Sequence, residues 1–154
     1  MSEPLHLDSA MENVLAKNGE VIACSSGVSM FPMLRHRKDM VVIETVKREL
    51  KKYDIPLYRI DSGKLVLHRI LEVRPDMYII RGDNELAKEY VRPSQVVGVL
   101  KAFYRGGKYV DCATNKGYKI YIRLNRCCYF LRFTWKRILL PMLVKIKHIL
   151  LGKK

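Results

Sequence analysis

Three short blocks of this chain hold a serine, a histidine and an aspartate: Gly27-Val28-Ser29-Met30-Phe31-Pro32, Val66-Leu67-His68-Arg69-Ile70 and Arg81-Gly82-Asp83-Asn84. A serine hydroxyl is nearly inert at neutral pH and attacks an amide carbonyl only with a base beside it and donors for the oxyanion. Imidazole can be that base, because its ordinary pKa of about 6.5 leaves it neutral once it is oriented. A carboxylate accepting the second ring N–H fixes the tautomer and stabilises the imidazolium. The blocks therefore hold the groups needed to split an amide through an acyl-enzyme, with Ser29 as nucleophile and His68 as base. Asp83 is the first candidate to orient His68, its competing role being a turn cap beside Gly82. Glu89 is the second, and Glu85 lies in the same stretch. Ser25 and Ser26 read as turn residues, and His6, His36 and His148 as solvated or interfacial.

Short strands with turns between them must position these groups. Ser9-Ala10-Met11-Glu12 has the form of a capping box opening a short helix that ends near Gly19. Strands are expected at Val21–Cys24, Met40–Glu44, Leu57–Ile60, Lys64–Arg74, Met77–Arg81 and Gln95–Tyr104. Asp61-Ser62-Gly63 closes a hairpin, Gly106-Gly107 makes a turn, and the charged residues 46–56 form a surface connection. The outcome is a mainly β, coiled-sheet domain.

The Ser29 block is similar to the nucleophile box of the type I signal peptidases, where the serine before methionine attacks the scissile bond. His68 falls where bacterial members have a lysine, so the chain resembles the endoplasmic-reticulum and archaeal kind. Gly82-Asp83-Asn84 resembles the last family box, and Val97-Gly98-Val99 the closing core strand. Asp39, ahead of a Val-rich strand, matches a structural aspartate. The resemblance covers residues 20–105. It implies a signal-peptidase/repressor-like fold, a serine endopeptidase cutting a signal, leader or propeptide, and a substrate loop of Gly27, Met30 and Pro32. It implies no cofactor and no metal. Family members carry a transmembrane helix ahead of the nucleophile box, whereas residues 1–20 here are polar with no apolar run. Their further aspartates beyond the last box are also missing, which keeps a catalytically inactive peptide-binding module of the same fold as the alternative. A self-cleaving repressor would need a lysine base and a DNA-binding domain that 20 residues cannot supply.

The net charge of +14 is concentrated at one end. Eleven of the 29 basic residues lie between Lys116 and Lys154, and no acidic residue follows Asp111. The organisation expected is an N-terminal helix (1–19), a catalytic β domain (20–111) and a basic amphipathic helical tail (118–154). In the tail Leu131, Trp135, Ile138, Met142 and Ile149 share a helical stripe, with Arg132, Lys136, Arg137 and Lys147 off it. The longest uncharged run, Ile138–Val144, contains Pro141 and is far short of the about 20 apolar residues a span requires. Together with Phe130, Phe133 and Lys145, these residues suit an anionic membrane surface, which implies peripheral attachment on the cytoplasmic face. A partner membrane protein is the other expected partner, and nucleic acid is not. Cys24, Cys112, Cys127 and Cys128 have no metal-ligand spacing and read as free thiols.

Overall fold

In the computed structural model, residues 4–127 are described, together with Tyr129, Thr134 and Met142. The chain divides into two compact units, Met1–Tyr118 and Lys119–Lys154. The first is mainly β, a curled antiparallel arrangement.

Helix α1 spans Pro4–Asn18, five residues earlier than the capping-box reading, so Ser9–Glu12 lies inside it. Proline at the first helical position costs nothing, since its missing N–H would have no intrahelical partner. The helix stops at Gly19, whose φ of 73° is left-handed and whose N–H donates to Leu15 O (2.8 Å).

Strands β1 (Glu20–Cys24), β2 (Met40–Glu44), β3 (Pro56–Arg59), β4 (Leu65–Leu67), β8 (Val96–Arg105) and β9 (Lys108–Asp111) form one antiparallel sheet. Its order is β1-β2-β8-β3-β4, with β9 also on β8. The ten residues of β8 are the spine: β2 covers one edge, and β3 and β9 share the other, at Val96–Val99 and Ala102–Arg105. Strands β5 (Arg69–Val73), β6 (Tyr78–Arg81) and β7 (Glu89–Val91) form a second sheet. Leu50, Tyr58, Ile70, Ile80, Val91 and Val99 make a buried cluster drawn from both.

The expected strand Lys64–Arg74 is broken at His68: β4 belongs to the first sheet and β5 to the second. An unbroken apolar run says nothing about which sheet each half joins. Strands β7 and β9 were not expected, being three and four residues long and rich in polar or charged groups. The connection 46–56 is only partly a surface feature, since Leu50 and Ile55 are buried.

Helix α2 (Lys116–Cys127) begins where Asn115 Oδ1 accepts the Tyr118 N–H (2.8 Å). Among the described residues, no helix is long and apolar enough to cross a membrane. Of the expected tail stripe, Met142 is exposed, while Leu131, Trp135, Ile138 and Ile149 lie outside the described residues, as do Phe130, Arg132, Phe133, Lys136, Arg137, Lys145 and Lys147.

Gly98 marks the closest approach of β8 to its cover. A Cβ there would lie 2.7 Å from Ile43 Cγ2, 2.9 Å from Leu15 Cδ2 and 3.0 Å from Glu44 O. Gly98→Ala is therefore expected to cost about 1–3 kcal/mol through overpacking, read as a lower urea midpoint at unchanged m-value.

Candidate functional site

The segment bearing Ser29 is a run of turns after β1, held in shape by its own hydrogen bonds. Phe31 N–H donates to Val28 O (3.1 Å) and Leu34 N–H to Met30 O (2.9 Å). Asp39 anchors its far end: fully buried, it accepts Arg35 N–H (2.9 Å) and the Arg35 guanidinium (2.7 Å). Burial works against that carboxylate's charge, but the Arg35 bonds outweigh it and hold Asp39 below the ordinary carboxylate range. Ser25 Oγ donates to Arg35 O (2.7 Å), Gly27 N–H donates to His36 Nδ1 (2.8 Å), and Arg105 donates to Pro32 O (2.8 Å). Asp39, read as structural from the sequence, has that place here.

The three sequence blocks meet at the turn Gly82–Glu85. Asn84 N–H donates to Ser29 O (2.7 Å) and Asn84 Nδ2 to Val28 O (3.1 Å). A side chain at Gly82 would put its Cβ 2.8 Å from Ser29 O, so glycine is what lets these two backbones touch.

The His68 ring is 4% exposed, and each of its nitrogens faces a carboxylate. Nδ1 lies 3.0 Å from Tyr58 Oη and 3.2 Å from Glu89 Oε1. The Tyr58 hydroxyl donates to Glu89 Oε2. Burial, the Glu89 hydrogen bond and the Glu89 charge all push that hydroxyl above the ordinary phenol range, so it keeps its proton. With the phenolic proton committed to Glu89, Nδ1 must carry the ring hydrogen and donate to Tyr58 Oη and Glu89. In the neutral ring the lone pair is then on Nε2, 3.6 Å from Glu85 Oε2. This is the tautomer a general base needs. Ser29, half-buried, makes no side-chain hydrogen bond to His68 among the described residues.

Asp83, the first candidate to orient His68, has another role. Arg69 Nε and Nη2 donate to its two carboxylate oxygens (2.8 and 2.7 Å), with both side chains almost fully buried. Arg69 also donates to Tyr118 Oη (2.9 Å), Tyr53 O (3.2 Å) and Met33 Sδ (3.0 Å). Burial opposes its charge, but Asp83 outweighs that and holds the guanidinium above its ordinary range. The carboxylate beside Nδ1 is that of Glu89, the second candidate. Tyr58 escaped the sequence reading, although the hairpin register carries the signal. Tyr58 pairs across to Val66, and the chain reaches His68 two residues further on, just past the end of β4. Met30 is buried, Pro32 and Gly27 are exposed, and Lys64 is an exposed residue at the β3–β4 turn. Cys24 and Cys112 are free thiols, that of Cys112 pushed up to about 12 by burial.

No protein-family model and no curated protein matches this chain.

Two stability outcomes follow from these ion pairs. Asp83→Ala strands a buried guanidinium and is expected to cost about 3–5 kcal/mol, most of it recovered when Arg69→Met is added, as measured by chemical denaturation. Asp39 has a folded pKa below its unfolded value of about 3.9. Its contribution is therefore complete above that value and lost as pH falls through the lower folded value. Asp39→Asn should be less stable than wild type at pH 7, and the gap should close on acidification below about pH 4.

Proposed function

We propose that this chain is a serine endopeptidase of the type I signal peptidase kind, cleaving a signal, leader or propeptide. In this reading Ser29 is the nucleophile, His68 the general base and Glu89, with Tyr58, the pair that orients the base; the curled sheet is of the signal-peptidase/repressor kind. One observation carries the proposal: the backbone of Ser29 and the lone-pair side of His68 both abut the same four-residue turn, Gly82–Glu85. Catalytic hydrogen bonds are often unmade before substrate binds and tighten in the Michaelis complex, so Ser29 Oγ reaches Nε2 when the peptide is in place. Strand β4 is the outer strand of its sheet and runs directly into His68. An extended peptide added along that edge arrives at the imidazole with its backbone paired.

The enzyme works at a membrane surface, peripheral on the cytoplasmic face. Ile120 and Leu124, one helical turn apart on α2, are both exposed, as are Lys116, Lys119 and Arg123. Exposed apolar residues among basic ones suit an anionic leaflet.

A second reading, an inactive peptide-binding module, is favoured by one specific observation: Nε2 faces Glu85 Oε2 at 3.6 Å, and among the described residues Ser29 Oγ makes no hydrogen bond to it. N-terminal mass spectrometry on cells expressing wild type or Ser29→Ala separates the two. New N-termini that need Ser29 are expected, and identical profiles from two folded proteins would favour the binding module. On a peptide so identified, His68→Ala should lower kcat by about 100- to 10,000-fold, and Tyr58→Phe should lower it less.

A further inference from the structure

Two carboxylates, Glu85 and Glu89, converge on the one imidazole of His68. Among the described residues, neither is paired with a lysine or arginine, although 29 such residues are present in the chain. Every other described carboxylate cluster around the site has its cation: Asp83 has Arg69, and Asp39 has Arg35. The His68 cage thus carries a surplus of negative charge next to a ring nitrogen whose lone pair points into it.

We propose that this cage is a binding site for a divalent transition-metal ion, zinc being the natural fit, and that the bound ion silences the base. The inference rests on the reading of His68 as that base only for its regulatory half. The direct ligands are His68 Nε2 and Glu85 Oε2, which stand 3.6 Å apart. Zinc–nitrogen and zinc–oxygen bonds of about 2.1 Å at a tetrahedral angle separate two ligand atoms by roughly 3.4 Å, so the ion enters with a shift of a few tenths of an ångström. Glu85 is half-exposed and can make that shift. One ligand oxygen or nitrogen from each of His68, Glu85 and Glu89 lies within 4.8 Å of the others. Glu89 serves better from behind. It accepts the Nδ1 hydrogen together with Tyr58, and a carboxylate on the far nitrogen is the arrangement that orients metal-binding histidines and raises their basicity. Imidazole with carboxylate is also a ligand set suited to zinc.

Occupying Nε2 removes the lone pair that would take the Ser29 proton. The ion is therefore an inhibitor, and with two protein ligands its affinity is on the order of micromolar rather than that of a four-ligand structural site.

The test is zinc binding by the full chain, measured by competition with a chromophoric chelator, so that no substrate is needed. Wild type, Ser29→Ala and Cys24→Ser should each bind one equivalent with similar affinity. Glu85→Gln and His68→Gln should lose that equivalent, and Glu89→Gln should bind about 10- to 100-fold more weakly, as loss of an outer partner does. Uptake by Glu85→Gln equal to wild type would overturn the site, placing the zinc on thiols or on exposed His36; so would absence of micromolar binding by wild type. Glu85 is half-exposed, so its variant folds, as circular dichroism verifies, and it decides the matter even if His68→Gln does not fold. Once a cleavable peptide is known, zinc should inhibit wild type and chelator restore it, and cleavage unaffected by saturating zinc would also overturn the proposal. Zinc binding that needs Glu85 and His68 in a protein with no peptidase activity would uphold the site and remove the peptidase reading instead.

Discussion

Arg69 and Asp83 are 3% and 2% exposed, a depth at which either charge alone would cost several kcal/mol. Neither residue can therefore leave its place without the other, and that mutual dependence fixes more than two side chains. Arg69 is the neighbour of His68 in the chain, and Asp83 sits inside the turn that contacts Ser29. The remaining donors of the guanidinium reach Met33, beyond the nucleophile block, and Tyr53 and Tyr118. One buried ion pair thus ties together the segments carrying the hydroxyl, the imidazole and the Gly82–Glu85 turn. Such a pair adds less to net stability than its geometry suggests, because desolvation offsets much of the attraction. Its contribution here is to fix which loops lie side by side.

The second organising feature is the change of sheet at His68. A residue within a continuous strand has a neighbour on each side and a direction set by the pleat. His68 lies in the gap between β4 and β5, where the chain leaves one sheet for the other, so its ring can enter the space between them. Tyr58 reaches the same space from β3 and Glu89 from the start of β7. The imidazole is held by strands from both layers, which gives it a defined tautomer.

Much of this was legible from residue order. Alternation and turn residues located seven of the nine described strands, β4 and β5 as a single one, and Gly19 and Gly106-Gly107 marked real stops, each with positive φ. The blocks around Ser29, His68 and Asp83 do converge in space. What the sequence did not carry was partnership. An aspartate beside glycine and asparagine looks the same whether its partner is an imidazole or a guanidinium, and only the fold brings Arg69 to Asp83. The break at His68 was hidden because Val66, Leu67, Ile70 and Leu71 continue an apolar pattern across it. Strands β7 and β9 exist through pairing with β6 and β8, against weak propensities of their own.

Composition puts the start of the basic tail near Tyr118, but the ring of that tyrosine belongs to the first unit. Its hydroxyl accepts from Arg69, its ring packs edge-to-face with Phe103 at a centroid separation of 6.3 Å, and burial pushes its pKa up to about 12. Lys116 and Gly117, just before it, are exposed, and the next residue opens the second unit. Tyr118 is therefore a plug for the β unit, carried on the first turn of a helix that continues past it. Anyone trimming this protein to its β unit would have to cut after residue 118. A boundary drawn where the charge changes would pull the stopper from beneath the imidazole's neighbour and leave a guanidinium donor facing a hole.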